Sequence, residues 1–337
     1  MRPTDPLFAI TGATGFIGGH LAQRLIGSER RLRVLVRNPQ RLASRISDRA
    51  EVIVGDLARS EGLHRFTEGA DTLIHCAANV RTWDRGAHYE ATNVQGVAHL
   101  LDAVEASTRK PRVLIHLSTV DVYGFPNTPC DENCLPRAPG FGYGNSKLQG
   151  EALFKERASA LGIPWVVLRP CNVMGPGSPF IDRIGQELHH GLMLQIDGGH
   201  VDAGFLDVDH LVSVILWATS AKGSWGEVFN VNGPERIEWR RFLIDLRRGV
   251  AGKGVILSLP YALAMTAGHA LAMPYNWLRL PHEPLLHPLI VQIFGRSCGH
   301  FSDKLQRFGA PPAMRSYAEV MAQCIAGFRG RAARRGP

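Results

Sequence analysis

Short apolar runs alternate with longer segments whose apolar residues recur every three or four positions throughout the first half of the chain. The runs predict strands, and the longer segments predict helices such as 89–107, with Val94, Val97, Leu101 and Val104 on one face. Alternation of this kind is typical of parallel sheets covered by helices. We therefore predict an α/β fold with a doubly wound parallel sheet, its strands at 7–10, 32–36, 51–54, 72–76, 112–117 and 165–168.

A glycine turn joins the first predicted strand to the first helix, in the sequence Ile10-Thr11-Gly12-Ala13-Thr14-Gly15-Phe16-Ile17-Gly18. Gly12 permits the tight reversal, Gly15 lets the backbone approach a pyrophosphate, and Gly18 lets the helix pack closely on the sheet. The N–H groups and the positive dipole end of that helix then hold the phosphates. Strand, glycine turn and helix in this order predict a Rossmann-type site for a dinucleotide.

The alternation ends beyond Val173, where the pattern predicts a helix at 180–194, an extended stretch at 204–208 and a strand at 228–231. We expect the later segments to form a smaller, mostly helical lobe that covers the substrate. The predicted organisation is a dinucleotide-binding domain, 1–173 with 205–233; a substrate-binding lobe, 174–204 with 234–328; and a basic tail, 329–337.

The second predicted strand ends at Arg37, with Arg41 a helical turn further on. An acidic residue at this point of the fold would bind the adenosine ribose hydroxyls, whereas a guanidinium can pair with a 2′-phosphate. NADP(H) is therefore preferred over NAD(H), which stays possible if Arg37 is merely solvated and another group contacts the ribose. Asp56, after the third strand, can accept a hydrogen bond from the adenine amino group.

Composition narrows the partners and the compartment. An apolar content of 45% with 20% charged residues is ordinary for a water-soluble globular protein. The net charge of +8 is concentrated partly in the last nine residues, and no basic stripe interleaved with aromatic residues predicts nucleic-acid binding. We expect those terminal arginines, Arg329, Arg331, Arg334 and Arg335, to lie in a frayed, solvated tail.

The six cysteines lack metal-pair spacing, and the polar start of the chain does not look like a signal peptide. We expect reduced thiols, no metal and a cytoplasmic location. His75 beside Cys76 has no evident third ligand, so packing near the ribose is the favoured interpretation of that histidine. The uncharged segment 255–273 has about the minimum length for a membrane span. Because Pro260, Gly268 and His269 interrupt it, we expect peripheral membrane contact at most.

Tyr143 and Lys147 are four residues apart, so they share one face of a predicted helix that runs to about Leu161. An ammonium near the phenol favours phenolate and is expected to lower the pKa of Tyr143 toward neutral pH. Tyr143 can then exchange a proton with a carbonyl or alcohol oxygen, which the Thr119 hydroxyl can anchor. Asn93 can hold a water that relays protons to Lys147.

Together these motifs resemble the extended short-chain dehydrogenase/reductase superfamily, of the NAD-dependent epimerase/dehydratase type. The similarity covers most of the first 235 residues and includes the glycine turn, Asn93–Gly96, Thr119–Gly124, Tyr143 to Lys147 and Leu168–Gly177. It implies Thr119, Tyr143 and Lys147 as the catalytic set, with Asn93 structural or in the proton relay. It also implies cofactor contacts from Gly12, Thr14, Gly15, Phe16, Ile17, Gly18, Arg37, Asp56, Leu57, Cys76, Ala77, Ala78, Tyr143, Lys147, Pro170, Asn172 and Val173.

Two substrate classes compete within this superfamily. Its sugar-nucleotide enzymes usually carry an arginine for the diphosphate, and Ala203 stands at about that position here. The segments 78–83 and 276–284 instead look like the 3β-hydroxysteroid-dehydrogenase-like branch, which acts on sterols and long-chain β-keto acids. We therefore expect an NADP(H)-preferring oxidoreductase that interconverts a secondary alcohol and a ketone on an apolar substrate.

Two alternatives stay open. A sugar-nucleotide epimerase or dehydratase would use the same residues and regenerate its cofactor in each turnover. A non-catalytic NADP(H) redox sensor is a further alternative, although such a sensor would not need an intact catalytic set. The superfamily's usual habit implies a homodimer.

Overall fold

The computed structural model describes residues 5–140, 142–278, 280 and 282–335 of the chain. Its strands are β1 (Leu7–Thr11), β2 (Arg31–Val36), β3 (Glu51–Val54), β4 (Thr72–His75), β5 (Val113–Leu117), β6 (Trp165–Pro170), β7 (Asn172–Met174), β8 (Leu192–Ile196), β9 (Phe205–Asp207), β10 (Glu227–Val231) and β11 (Val255–Leu259).

The helices, in the described part of the chain, lie mostly between these strands. They are α1 (Phe16–Gly27), α2 (Ser44–Ser47), α3 (Leu63–Thr67), α4 (Gly86–Glu90), α5 (Gly96–Ala106), α6 (Gly142–Ala160), α7 (Pro179–His190), α8 (Val208–Ala218), α9 (Trp239–Gly249), α10 (Tyr261–Trp277), α11 (Pro288–Gly295), α12 (Asp303–Arg307) and α13 (Tyr317–Arg335).

One parallel sheet dominates the fold, with strand order β10-β6-β5-β4-β1-β2-β3. Its strands are apolar and buried because helices cover both faces, as the alternating pattern predicts. At the centre, Ile10 of β1 lies opposite Val34 of β2 and Ile74 of β4. The strand order changes direction beside β1, and ligands of open α/β sheets bind in the crevice at such a point. The predicted doubly wound sheet is confirmed.

Three clusters of buried apolar residues make the core. Two flank the sheet, one containing Ile10 and Phe229 and the other Leu73 and Phe154. A third is built around Trp239 and Phe242 from residues between 174 and 328, where the chain is mostly helical. Leu305 of α12 packs into the cluster with Phe229, so this part of the later chain belongs with the sheet and not with the third cluster.

Several elements differ from the sequence-based expectation. The predicted helix 89–107 is broken by a π-helical turn, Ala91–Gln95, between α4 and α5. The predicted helix 180–194 ends at His190, and residues 192–194 belong to β8, which pairs with β11 in a separate parallel ribbon. The partner of β8 lies some 60 residues further along the chain, so the local sequence of 192–194 does not predict a strand.

The basic C-terminal segment is helical as far as Arg335, because α13 continues through it. Arg331 bonds Asp182, and Arg329 donates to the Gly249 carbonyl at 2.9 Å. The expectation of a frayed, solvated tail is therefore wrong at Arg329 and Arg331. Residues 336–337 lie outside the described part of the chain.

The uncharged segment 255–273 forms β11 and most of α10. No helix within the described ranges is long and apolar enough to cross a bilayer.

Candidate active site

The glycine turn between β1 and α1 is as tight as its sequence predicts. Gly12 has φ of +80°, and a Cβ there would lie 2.8 Å from the Ala77 nitrogen. A Cβ on Gly18 would overlap the Gly12 carbonyl oxygen. Helix α1 begins after Gly15 with no side-chain cap and no acidic residue in its first turn. Its free N–H groups and positive dipole end are therefore available to an anion such as a pyrophosphate.

A cavity of about 870 Å³ starts at this turn. Exposed Arg37 and Arg41 lie on its wall near Asp56, which also accepts a hydrogen bond from Ala58 N at 3.0 Å. The structure thus brings most of the expected cofactor contacts onto one surface. They are Gly12, Thr14, Gly15, Phe16, Ile17, Gly18, Arg37, Asp56, Leu57, Cys76, Ala77, Ala78 and Val173.

Four expected contacts are not among the residues that line this cavity, namely Tyr143, Lys147, Pro170 and Asn172. Pro170 is buried at the end of β6, and the Asn172 amide donates to the Ala203 carbonyl at 2.6 Å. Ala203 is buried, and the adjacent Gly204 packs so closely on the Cys298 backbone that a Cβ would not fit there. Segment 298–299 therefore occupies the space beside Ala203.

His75 contacts the end of β1, directly before the glycine turn. Its Nδ1 pairs with the Thr11 hydroxyl at 2.8 Å, and that hydroxyl accepts from Ala77 N at 3.1 Å. Burial, with a smaller effect of Lys147, lowers the pKa of His75 to about 3, so the imidazole is neutral. Its ring stacks on His116 at 5.3 Å between centroids. His75 thus has a packing role, and no cluster of metal-ligating side chains occurs among the described residues.

Helix α6 and strand β5 bring the three expected catalytic side chains together. Thr119 follows β5, and its hydroxyl lies close enough to the phenol of Tyr143 to lower the pKa of that phenol. Lys147 lies one turn further along α6, is 4% exposed, and donates to the Leu117 carbonyl at 2.6 Å. Thr119, Tyr143 and Lys147 thus meet at the carboxyl edge of the sheet, as the sequence predicts.

The pKa of Tyr143 differs from the expectation. Burial raises the Tyr143 pKa above the ordinary value, and the negative charge of Asp121 raises it further, while the nearby Thr119 hydroxyl lowers it. The Lys147 ammonium bonds the backbone, and burial lowers its own pKa to about 8. The expected lowering of the Tyr143 pKa by Lys147 is therefore wrong for the unliganded chain.

Asn93 has a structural role that its bonds define. It lies buried in the π-helical turn, where its carbonyl accepts from Asn79 N at 2.7 Å. Its amide donates to the Asn79 carbonyl at 3.0 Å and to the Ser146 hydroxyl at 2.9 Å. Ser146 in turn donates to the Tyr143 carbonyl at 2.7 Å. Asn93 therefore fixes the first turn of α6 to the loop after β4.

A buried ion pair behind the site was missed from the sequence. Arg169 of β6 binds Glu151 of α6 through two bonds of 3.0 and 2.5 Å, and also donates to the Tyr123 hydroxyl at 2.8 Å. Burial opposes the charge on Glu151, but Arg169 outweighs it and holds the pKa of that carboxyl below its usual value. Glu151 is four residues after Lys147, so the helical spacing was a usable signal.

The side chain of Tyr143 packs against a small apolar cluster. Phe125, Leu289 and Cys298 form a buried cluster against which Tyr143 and Ile293 pack. Half-buried Asp121 lies close enough to affect Tyr143, and burial raises the pKa of its carboxyl to about 6. Because this cluster joins three distant segments, sequence spacing could not identify it.

A set of polar contacts lies at the end of the cavity away from the glycine turn. Glu283 accepts from Thr82 at 2.5 Å, from His287 at 2.8 Å and from Arg183 at 2.6 Å. Burial raises the pKa of Glu283, but these three partners outweigh burial and lower it to about 2. Thr82, Trp83, Phe180, Arg183 and Glu283 all line the cavity. Of the expected motif 276–284, Arg279 and Pro281 lie outside the described residues.

The sequence model of the NAD dependent epimerase/dehydratase family matches residues 8–232. A 4-hydroxy-2-methyl-3-oxo-4-farnesyl-3,4-dihydroquinoline-1-oxide ketoreductase of Stigmatella aurantiaca is 28% identical, over 88% of this chain and 89% of its own. A 3β-hydroxysteroid-dehydrogenase/decarboxylase of Arabidopsis thaliana is 25% identical, over 92% and 77%. An uncharacterized UDP-glucose epimerase of Bacillus subtilis is 26% identical, over 74% and 83%.

Solved structures show the same fold. The UDP-glucose 4-epimerase of Thermus thermophilus in complex with NAD aligns with a TM-score of 0.73, over 96% of this chain and 99% of that one. The two sequences are 20% identical, so this similarity concerns the fold.

Proposed function

The chain belongs to the NAD-dependent epimerase/dehydratase family of extended short-chain dehydrogenases/reductases, and we propose that it is an NADP(H)-preferring oxidoreductase. It would interconvert a secondary alcohol and a ketone on an apolar substrate. The observation that carries this proposal is the apolar cluster of Phe125, Leu289, Ile293 and Cys298, against which the side chain of Tyr143 packs. Apolar side chains beside the acid/base residue suit an apolar substrate.

The glycine turn fits a dinucleotide, since Gly12, Gly15 and Gly18 line the cavity and α1 begins there with no side chain capping its N–H groups. Gly15 and the first turn of α1 would hold the pyrophosphate, and the Ala77–Ala78 backbone would lie along the cofactor. When bound, the nicotinamide supplies or accepts the hydride. Arg37 and Arg41 would contact a 2′-phosphate, and this is the basis for preferring NADP(H).

The chain's own residues would handle the proton. In ketone reduction, the protonated phenol of Tyr143 donates to the carbonyl oxygen while the Thr119 hydroxyl holds that oxygen. The raised pKa of Tyr143 keeps the phenol protonated at neutral pH, which suits the reductive direction. Lys147, released from the Leu117 carbonyl, would stabilise the phenolate that remains.

Two further observations favour an apolar ketone over a sugar nucleotide. Ala203 is buried beside segment 298–299, where sugar-nucleotide enzymes need a cation for the diphosphate. The Stigmatella relative is named as a ketoreductase of a farnesyl-bearing oxo compound. The Arabidopsis relative is named for a 3β-hydroxysteroid.

The test is the loss of absorbance at 340 nm from NADPH with purified protein and a panel of 3-ketosteroids, long-chain β-keto acids and simple ketones. Turnover is expected with an apolar ketone, and Tyr143→Phe is expected to retain NADPH binding while kcat falls by about 100-fold or more. Full activity in Tyr143→Phe would refute the role of the phenol.

A sugar-nucleotide epimerase or dehydratase is the second candidate, favoured by the similarity to the Bacillus subtilis UDP-glucose epimerase. This candidate predicts tightly bound NAD in the purified protein and no net consumption of NADPH. Interconversion of UDP- or dTDP-sugars, followed by chromatography, would establish it.

A further inference from the structure

Helix α10 directs its large apolar side chains outward and its small ones inward. Its buried positions are Ala264, Gly268 and Ala272, and a Cβ on Gly268 would lie 3.2 Å from the His287 backbone. Met273 is 72% exposed and Trp277 is 84% exposed. A helix that faces water normally has the opposite arrangement, with its large apolar residues against the core. The outward face of α10 is therefore suited to an apolar surrounding.

The exposed apolar surface extends to both sides of α10. Nine of the sixteen large apolar side chains that are exposed in the described part of the chain fall between 255 and 285. Scattered exposed apolar residues are ordinary, but a concentration in one segment marks an interaction surface. We call this set the apolar face: Val255, Leu257, Leu263, Leu271, Met273, Trp277, Leu278, Leu280 and Leu285.

The charges near the apolar face are compatible with an anionic surface. Glu283 is the one carboxylate in the sequence from 253 to 285, and it is bound by Arg183 and His287. Exposed cationic side chains lie at the start of that segment and on the loop that packs against α10, namely Lys253, Arg81 and Arg85. Two carboxylates also lie here, since Asp84 pairs with Arg81 at 3.9 Å and exposed Asp197 accepts from Tyr261 N at 2.8 Å. Lys253 and Arg85 still leave a small positive excess beside the apolar face, which anionic headgroups would meet.

The apolar face adjoins the substrate end of the cavity. Trp83 lines the cavity, and its ring lies 6.4 Å from that of Tyr275 on α10 and 5.3 Å from that of His287, between centroids. Thr82 and Glu283 bond each other across the same boundary. Exposed Val80 also lines the cavity. An apolar molecule leaving the region of α10 thus has a short route to the cavity.

We propose that the apolar face lies on the surface of a phospholipid bilayer that contains anionic lipid. The large side chains of α10 enter the boundary between headgroups and acyl chains, and the helix lies in the plane of the membrane without crossing it. Docking in this way places the cavity at the bilayer, from which a lipid-borne substrate enters. The route for substrate rests on the proposed function, whereas the docking itself does not.

A bilayer fits this face better than a second copy of the chain does. Tyr275 and Trp277 lie at the C-terminal end of α10, and such amphipathic rings favour the membrane interface. A second copy related by two-fold symmetry would present the same patch again, with the same small positive excess of Lys253 and Arg85. Anionic headgroups give these cations opposite charges instead.

The test is flotation of the full chain with vesicles of phosphatidylcholine, with and without phosphatidylglycerol. Wild-type protein is expected to float with the anionic vesicles. The paired variant Met273→Glu/Trp277→Glu is expected to show an apparent affinity for them that is lower by about tenfold or more. The matched control is Leu135→Glu/Met314→Glu, which changes two equally exposed apolar residues, 84% and 86%, outside the apolar face. This control is expected to float as wild type does.

A second measurement needs no variant. Hydrogen exchange of the wild-type chain is expected to slow across 261–277 when anionic vesicles are added, and to stay unchanged at 312–316.

Absence of flotation and of that protection overturns the docking proposal, as does equal loss of binding in both paired variants. A wild-type dimer that Met273→Glu/Trp277→Glu converts to monomer, without vesicle binding, would assign the face to a second copy and also overturn it. Ketone reduction with a water-soluble substrate is measured separately, so failure of docking is distinguishable from failure of the proposed activity.

Discussion

At the scale of single residues, the proposed preference for NADP(H) rests on the arginines at the end of β2. Arg37 and Arg41 are exposed on the cavity wall, so they are free to contact a ligand in that cavity. A guanidinium pairs with a 2′-phosphate through charge-assisted hydrogen bonds, whereas a carboxylate would repel it.

We expect Arg37→Asp to reverse the preference toward NAD(H). Hydrogen bonds to a charged group contribute about 1.5–3 kcal/mol, so the ratio of kcat/KM for NADPH over NADH should fall by about tenfold to a hundredfold. Steady-state kinetics with both cofactors measures this ratio. Arg45→Asp is the matched control, because Arg45 is also exposed but does not line the cavity. An unchanged ratio in Arg37→Asp would show that another group selects the cofactor.

Lys147 gives the reaction a pH dependence. Burial lowers its pKa to about 8, so the ammonium loses its proton as the pH rises through that value. The charged form is the one that stabilises phenolate on Tyr143, and kcat for ketone reduction should therefore decrease above pH 8. A pH–rate profile from about pH 6 to about pH 10 measures this limb. A flat profile in that range would contradict the role of Lys147. Lys222→Gln should leave the limb unchanged, because Lys222 is exposed in the turn before β10 and does not line the cavity.

Residue spacing predicted which side chains meet, but not their ionisation. The four-residue interval between Tyr143 and Lys147 placed them correctly on one face of α6. The Lys147 ammonium is nevertheless bound to the Leu117 carbonyl, and the charge that raises the Tyr143 pKa comes from Asp121. A pKa depends on burial and on partners from other elements, and sequence spacing reports neither.

At the scale of elements, α6 is held to the sheet by the Glu151–Arg169 pair. Both side chains are almost fully buried, and Tyr123 and Asn230 extend the network to β10 with a bond of 2.9 Å. The pair therefore fixes α6, which carries Tyr143 and Lys147, relative to β6 of the sheet.

We expect Glu151→Ala to lower the free energy of unfolding by about 3–5 kcal/mol, because it leaves Arg169 buried and charged without a partner. Urea unfolding followed by circular dichroism measures the change. The control is Glu105→Ala, whose carboxylate is 57% exposed and pairs with Arg157, and whose removal should change stability by less than about 1 kcal/mol. Equal effects of the two substitutions would contradict a special role for the buried pair.

The elements of the first half were predictable because each has its own apolar period. The β1–β6 strands and helices α1, α5 and α6 lie close to their predicted positions. The π-helical turn at Ala91–Gln95 was not predictable, since it depends on Asn93 bonding Asn79 and Ser146. The ribbon of β8 with β11 and the outward apolar face of α10 depend on partners distant in sequence, and local periodicity does not identify these partners.

At the scale of the whole molecule, the cavity joins the sheet to the mostly helical later part of the chain. Its wall combines the glycine turn and the ends of β2 to β4 with Phe180 and Arg183 of α7 and with Glu283. A ligand that fills this cavity contacts both parts at once. Ligand binding should therefore stabilise the folded chain as a unit.

We expect NADPH to raise the melting temperature more than NADH does at equal concentration. A ligand at about 100 times its Kd that binds only the folded chain adds about 2.7 kcal/mol to the stability, so the tighter cofactor gives the larger shift. Differential scanning fluorimetry measures both shifts, and Arg37→Asp should abolish the excess for NADPH while keeping the shift for NADH. UDP should have a smaller effect than NADPH, because Ala203 offers a diphosphate no cationic side chain. A shift with UDP that exceeds the shift with NADPH would reverse the choice between the two enzyme classes, since a sugar-nucleotide enzyme holds the nucleotide of its substrate.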